Sequence, residues 1–218
     1  MSKPIVKVDI VSDVVCPWCY IGKRRMEKAI ATLAGEVDVQ LEYHPFELNP
    51  DAPKEGRNQK EYLAAKFGSD EKYKEITGYV TQVAAEEGLK FNFDKQKISP
   101  NTRDAHRIIM LAKESGKQLE AKEAFMKAYF EEGVDLTKKE NLIAVAVQVG
   151  LDKDKIAALL DSEDGIEEIE MEEYTYQQRG VRGVPFFIIN NKYGISGAQP
   201  ADVFANAIRQ VVSEVSPA

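Results

Sequence analysis

The sequence has few of the residues that bind zinc or cross-link a secreted protein. Its 218 residues include two cysteines and two histidines. A structural zinc site needs four ligands, and His44 and His106 lie far apart without the paired spacing of a zinc finger. One pair of cysteines also forms no disulfide framework. We therefore expect no bound metal, and a fold held by its core, since 44% of the residues are hydrophobic.

Long apolar runs and an excess of positive charge are missing as well. No run of about 18 apolar residues is present to span a bilayer, and the opening "MSKPIVKVDIV" alternates apolar and charged residues, unlike a signal peptide. The net charge of −7 opposes binding to phosphates of nucleic acids or anionic lipids. We expect a cytoplasmic protein that binds neither nucleic acid nor membrane, in which any disulfide is transient.

The spacing of apolar residues predicts strands near both ends of the chain and helices between them. Alternation predicts strands in "IVKVDIV" and "VDVQLEYHPF", and helical spacing joins them through "CPWCYIGKRRMEKAIATLA". About 100 residues with helical patterns follow. A helix in "SEDGIEEIEMEEYTYQQRG", a hairpin in "VPFFIINNKYGISG" and a helix in "QPADVFANAIRQVVSEV" that opens at Pro200 complete the chain.

The two outer segments hold the elements of one four-stranded sheet flanked by helices, which is the thioredoxin arrangement. We therefore predict an α/β fold in which residues 1–52 and 166–218 form a discontinuous thioredoxin-like domain. Residues 53–165 are predicted to form a large, all-helical insertion.

Local signals predict where three of the helices begin. Ser99 followed by Pro100 is typical of an N-cap and a first-turn proline. Thr137 with Glu140 fits a capping box. The eight carboxylates from Asp161 to Glu173, without a basic residue among them, indicate a solvated helix start, and an acidic docking face is the alternative.

Both cysteines lie in "VVCPWCYIG", directly after the first predicted strand and at the start of the first predicted helix. In this context a CxxC motif suggests a redox site. Unpaired backbone N–H groups at the helix start favour the Cys16 thiolate, so we expect Cys16 to be partly exposed and to have the lower pKa. Cys19, one turn later, is expected to be buried and to attack a mixed disulfide at Cys16. Pro17 suits the first turn. A purely structural disulfide is the alternative, but it closes too short a loop to add much stability.

Several stretches together resemble a known family over essentially the whole chain. They are "CPWC", "YHPFELNP" (Tyr43 to Pro50), "NTRDAHR" (Asn101 to Arg107), "GVRGVPFFIIN" and "SGAQ". Their identity and order resemble the DsbA-like branch of the thioredoxin superfamily, in particular its FrnE-like subfamily. The CxxC alone is moderately specific, whereas the ordered set is strongly so.

The resemblance implies a thiol–disulfide oxidoreductase in which Cys16 is the nucleophile and Cys19 the resolving thiol. It further implies that Pro185 is a cis-proline packed against the CxxC, and that the backbone of Val184 pairs with an extended substrate segment. Members with "CPHC" have a histidine where this chain has Trp18, and an indole offers no positive charge to a thiolate. We therefore expect a reduction potential between those of thioredoxin, about −270 mV, and DsbA, about −120 mV.

The expected substrates are proteins or small molecules that contain a disulfide or a thiol. No bound cofactor is expected, and glutathione is a candidate co-substrate. Two alternatives stay open: a glutathione-dependent isomerase or transferase of the DsbA-like superfamily, and a chaperone-like protein that holds extended segments against Val184 without turnover. The isomerases and transferases tend to have serine at the first position of the motif, so two cysteines favour redox work.

The two histidines have two interpretations each. His44 and His106 are candidates for proton carriers in the cleft between the sheet and the insertion, because histidine titrates near neutral pH. The alternative is a hydrogen-bonded packing residue. Nothing in the sequence indicates an oligomeric state.

Overall fold

Strands from both ends of the chain form one mixed sheet. The computed structural model describes residues 3–215. Its strands are β1 (Ile5–Ser12), β2 (Asp38–Pro45), β3 (Arg57–Asn58), β4 (Ile98–Ser99), β5 (Phe186–Ile189) and β6 (Tyr193–Ser196). The four-stranded sheet has the order β2-β1-β5-β6, with β1 parallel to β2 and antiparallel to β5. The predicted thioredoxin-like arrangement is confirmed, while the domain boundaries at residues 53 and 165 stay a prediction.

Helices flank this sheet and fill the segment between β2 and β5. They are α1 (Pro17–Thr32), α2 (Gln59–Phe67), α3 (Asp70–Glu86), α4 (Arg103–Glu114), α5 (Gln118–Lys127), α6 (Lys139–Gln148), α7 (Lys153–Asp161), α8 (Ile166–Gln178) and α9 (Ala201–Val215). A π-helical turn, Ala128–Glu132, continues α5. Within residues 3–215, no helix combines the length and the apolar character needed to cross a membrane.

The insertion is not entirely helical, in contrast to the prediction. Strands β3 and β4 pair in antiparallel orientation, with Arg57 opposite Ser99 and Asn58 opposite Ile98. Two residues per strand are too few to produce an alternating pattern in the sequence, so this pair was not predictable from periodicity.

One apolar core lies between the sheet and helices α1 and α9. Its buried members include Val6, Val8, Ile10, Met26, Leu33, Phe187, Phe204 and Ile208. Gly22 brings α1 close to the sheet, because a Cβ at this position would lie 3.2 Å from the Phe187 ring and 3.3 Å from Pro185. The absence of a side chain at Gly22 thus lets the first turns of α1 approach Pro185.

A second apolar core fills the insertion and extends to the start of α1. Its buried members include Cys16, Cys19, Tyr20, Val80, Phe91, Phe125 and Phe130. The rings of Phe91 and Phe130 stack with their centroids 4.6 Å apart. Both cysteines therefore lie where the thioredoxin-like sheet meets the insertion.

Two predicted helix starts are wrong. Ser99 lies in β4, where its backbone pairs with β3, and α4 begins at Arg103. Thr137 donates both its backbone N–H (2.9 Å) and its hydroxyl (2.6 Å) to Asp135, and α6 begins at Lys139. This turn competes with capping for the same hydroxyl, so the predicted capping box does not form.

Candidate active site

The CxxC motif opens helix α1, as predicted. Cys16 occupies the N-cap position with extended backbone angles, and Pro17 is the first helical residue. The backbone N–H of Cys19 donates to the Cys16 carbonyl oxygen at 3.0 Å, closing the first turn. Both cysteines are free thiols. The two sulfurs are thus one turn apart at the end of the helix that faces the insertion.

The segment before β5 lies against this helix start. The Cys16 thiol donates to the Val184 carbonyl oxygen, with 3.6 Å between sulfur and oxygen. The Val184–Pro185 peptide bond is cis. The Pro185 carbonyl accepts a hydrogen bond from the Gly197 N–H at 2.8 Å, so the "SGAQ" segment lies next to Pro185. Cys16, Val184 and Pro185, distant in the chain, therefore meet at one place.

The expected exposure and acidity of Cys16 are not observed. Cys16 is 4% exposed and Cys19 is 2% exposed, because the core of the insertion closes over the start of α1. The hydrogen bond with Cys19 and burial together raise the pKa of the Cys16 thiol well above its usual value. In this reduced form, these two effects outweigh the stabilisation of the Cys16 thiolate by the start of α1. The two thiols still differ, since Cys16 lines an open cavity and Cys19 does not.

A buried carboxylate lies three residues before the motif. Asp13 is fully buried, and its Oδ1 is 3.2 Å from His106 Nε2. Its Oδ2 accepts the Leu48 N–H at 2.8 Å. Burial alone would raise the pKa of Asp13, but the bonds to His106 and Leu48 hold it below its usual value. A negative charge is therefore fixed near Cys16, and His106 belongs to its immediate surroundings.

A buried ammonium from the insertion complements this charge. Lys122 in α5 is 1% exposed, and its Nζ donates to the Ser12 carbonyl oxygen at 3.2 Å. Burial lowers the pKa of Lys122 to about 8, although the nearby groups of Cys19 and Asp13 oppose this shift. The sequence-based search for site residues missed both Asp13 and Lys122. Together they place one negative and one positive charge next to the thiol pair.

His44 lies in a different charge cluster. Its Nε2 is 3.2 Å from Asp9 Oδ1 and its Nδ1 is 3.0 Å from Glu172 Oε2. Burial would lower the pKa of His44, but these two carboxylates raise it. Ligand atoms of Asp9, Glu42 and His44 lie within 4.8 Å of one another. The Lys7 ammonium already pairs with Asp9 (3.2 Å) and Glu42 (2.9 Å), so it supplies the positive charge in this cluster.

The acidic run contains more than a solvated helix start. Glu167 and Glu168 in the first turn of α8 are exposed, as expected. Glu173, further along α8, accepts the Glu47 N–H at 2.5 Å. The Glu47 carboxylate is itself buried and accepts from Arg103 Nε at 2.9 Å. Burial and the charge of Glu47 raise the pKa of Glu173 to about 7.

This shift predicts a pH-dependent stability that depends on Glu173. The folded protein keeps the proton on Glu173 up to about pH 7, whereas the unfolded chain releases it near 4.5. The folded state therefore binds more protons in this window, and its stability falls as the pH rises through it. Glu173→Gln keeps the acceptor oxygen for Glu47. In urea unfolding, we expect this variant to match the wild type at pH 4 and to exceed it by about 1–2 kcal/mol at pH 8.

A matched control is Glu167→Gln on the exposed face of the same helix. Its effect should stay within about 0.5 kcal/mol at both pH values, because an exposed charge near a helix start contributes little. If Glu173→Gln changed the stability by the same amount at pH 4 and at pH 8, Glu173 would not titrate as described.

Known proteins are similar to this chain over almost its whole length. The model of the DSBA-like thioredoxin domain family matches residues 7–209. The crystal structure of the probable DsbA oxidoreductase SCO1869 from Streptomyces coelicolor is similar with a TM-score of 0.90 and 36% identity, over 98% of this chain and 92% of that one. The uncharacterized protein YwbO of Bacillus subtilis strain 168 is 29% identical over 93% of this chain and 96% of its own length.

A more distant structure shares the fold. The cytosolic disulfide reductase DsbM from Pseudomonas aeruginosa, solved with GSH, has a TM-score of 0.67 and 15% identity, over 94% of this chain and 99% of that one. At this identity the likeness concerns the fold alone.

Proposed function

This chain belongs to the DSBA-like thioredoxin domain family, and from that premise we propose that it is a thiol–disulfide oxidoreductase that uses Cys16 and Cys19. The observation that carries the proposal is the placement of the two free thiols at the start of α1. Only the first of them lines an open cavity, and it contacts the carbonyl of Val184. Pro17 and Trp18 hold the two sulfurs one helical turn apart. Within the family, we assign the chain to the FrnE-like subfamily.

The proposed reaction is two successive exchanges. The Cys16 thiolate attacks one sulfur of a substrate disulfide, the substrate S–S bond breaks, and the departing thiolate takes up a proton. Cys19 then loses its proton and attacks Cys16, which breaks the mixed disulfide and releases the second substrate thiol. The substrate gains two electrons and the Cys16–Cys19 disulfide forms. The reverse sequence oxidises a dithiol substrate.

The buried charges near the thiols support the second exchange. Cys19 is buried, so its thiolate needs a nearby positive charge to form. Lys122 is the buried cation whose charge interacts with Cys19, and Asp13 partly offsets it. We assign Lys122 the role of stabilising the Cys19 thiolate during resolution.

Three further assignments belong to the proposal. An extended substrate segment pairs with the backbone of Val184, next to the Cys16 sulfur. Two molecules of glutathione return the Cys16–Cys19 disulfide to the dithiol and leave as glutathione disulfide. The protein works in the cytoplasm, where glutathione keeps ordinary thiols reduced.

A titration of thiols in glutathione buffers tests the proposal. The protein is equilibrated at several ratios of glutathione to glutathione disulfide, quenched, and alkylated. Each free thiol then carries one alkyl label, and the labels are counted by mass. We expect both cysteines to lose their label together, because the intramolecular disulfide is the stable oxidised product. A persistent glutathione adduct on Cys16 that never yields the Cys16–Cys19 bond would instead favour the glutathione-dependent isomerase or transferase.

A further inference from the structure

A cavity of about 320 Å³ lies beside Cys16, between the start of α1 and the first two helices of the insertion. Its apolar lining comes from both parts of the molecule and includes Val15, Trp18, Leu48, Leu63, Ile76 and Val184. All six side chains keep part of their surface exposed, and four of them, Val15, Trp18, Leu48 and Val184, pack against the core of the insertion. Apolar surface that is exposed to water in a concave site is typical of a ligand-binding pocket, because a ligand that covers it removes this surface from water.

Three polar side chains that line the cavity are already hydrogen-bonded to one another. Gln59 Nε2 donates to Gln96 Oε1 at 2.6 Å, and the Tyr129 hydroxyl donates to Gln59 Oε1 at 3.2 Å. These three residues are buried. An occupant therefore needs few hydrogen-bonding groups of its own, and contact with apolar surface dominates its binding.

The charge of the lining further restricts the occupant. No carboxylate lines the cavity among the described residues, and the one charged lining residue is Lys66, which is exposed at the end of α2. Its ammonium lies 5.6 Å from the centre of the Tyr62 ring. A cationic group finds no partner here. A neutral group, or one with a single negative charge directed at Lys66, fits the lining.

The size of the cavity indicates a small molecule. At about 30 Å³ per water, 320 Å³ has room for roughly ten waters. A space of about 150 Å³ is enough to hold benzene, so one aromatic ring and a short linker fit. Cys16 is only 4% exposed, so a small disulfide that enters the cavity reaches its sulfur more readily than a disulfide on a folded protein surface.

We propose, on the basis of the function above, that this cavity selects low-molecular-weight disulfides that carry an apolar group of aromatic size near the sulfur. The apolar group lies among Leu63, Ile76 and Trp18 while the disulfide faces Cys16. Glutathione disulfide fits this cavity poorly, because its several charged groups lose hydration against an apolar lining. It serves as a slower, general co-substrate.

The test compares two disulfides that differ only in the apolar group. N,N′-dibenzoylcystamine and N,N′-diacetylcystamine release closely similar alkyl thiols, so their chemical reactivity is matched. The rate constant for oxidation of the reduced protein is measured with each, by loss of free thiols at neutral pH. We expect the dibenzoyl compound to react at least about tenfold faster than the diacetyl compound, which corresponds to roughly 1.4 kcal/mol. Glutathione disulfide should be slower than the dibenzoyl compound.

Two matched variants locate the preference. Ile76→Glu places a negative charge at the edge of the cavity, and Ile76 is 37% exposed, so folding should be preserved. Val147→Glu makes the same kind of change at a 42% exposed position in α6, away from the cavity lining. Ile76→Glu should reduce the ratio between the two disulfides to about two, while Val147→Glu leaves it at the wild-type value.

The outcomes separate this inference from the proposed function. Equal rates with the two disulfides would overturn the cavity's role and leave the oxidoreductase proposal standing. A strong preference that Ile76→Glu does not change, or that Val147→Glu weakens equally, would also overturn it. If the reduced protein formed the Cys16–Cys19 disulfide with none of the three compounds, the proposed function itself would fail.

Discussion

Replacing Cys16 with serine is expected to lower the rate of disulfide exchange at least about 1,000-fold, because the attacking group is a thiolate and a serine hydroxyl does not ionise near neutral pH. Cys19→Ser should fail differently. Cys16 can still attack, but no second thiol resolves the product, so mixed disulfides through Cys16 accumulate. The rate is measured as turnover of a disulfide with glutathione as reductant. The adducts are counted by mass under non-reducing conditions.

The contrast between the two variants is the informative result. Cys16 lines the cavity and Cys19 lies behind it at 2% exposure, so the two serine variants must not behave alike. Adducts that accumulate at Cys19 in Cys16→Ser would reverse the assigned roles. Binding of extended segments that survives in the double serine variant, which has no thiol for exchange, would favour the chaperone-like binding protein.

Opposite effects on thiol reactivity are expected from the two buried charges. Lys122→Met removes the buried ammonium and leaves the Asp13 carboxylate near the thiols, which raises the free energy of either thiolate. We expect alkylation of the reduced protein at pH 7 to slow about tenfold, as for a pKa shift of about one unit. Asp13→Asn removes the negative charge but keeps the side chain's shape, so alkylation should accelerate several-fold.

The opposite sign separates an electrostatic role from a packing role. Both residues are buried, so both substitutions will reduce stability, which urea unfolding measures on the same samples. A loss of packing would change alkylation in the same direction in the two variants. If Lys122→Met and Asp13→Asn both accelerated alkylation, local opening rather than charge would explain the result, and the role of Lys122 would be withdrawn.

The parts of the fold that sequence patterns predict are those determined by local spacing. Alternation located β1 and β2 to within a residue or two, and Pro200 marked the start of α9. The hairpin turn was predictable because asparagines tolerate positive φ angles, and Asn190 (47°) and Asn191 (56°) have them. The CxxC at the start of α1 follows from the same logic, since a proline fits a first turn.

The charged groups around the thiols were not predicted, because they depend on contacts between distant segments. Lys122 shares the buried face of α5 with Ala121 and Phe125, which is the one sequence signal that marked it. A lysine at such a position indicates a buried charge but does not identify its partner. The burial of Cys16 depends on how the insertion closes over α1, and no local pattern contains that information.

The reduction potential of the Cys16–Cys19 pair is the most direct test of the central claim. Trp18 is the only tryptophan, and it lies within the motif, partly buried against Tyr79 with their ring centroids 6.2 Å apart. Its fluorescence in glutathione buffers should therefore report formation of the disulfide without an added label. The account predicts one reversible two-electron transition at a potential between about −270 mV and about −120 mV. The absence of any transition in that range would contradict the claim that this protein exchanges disulfides through Cys16 and Cys19.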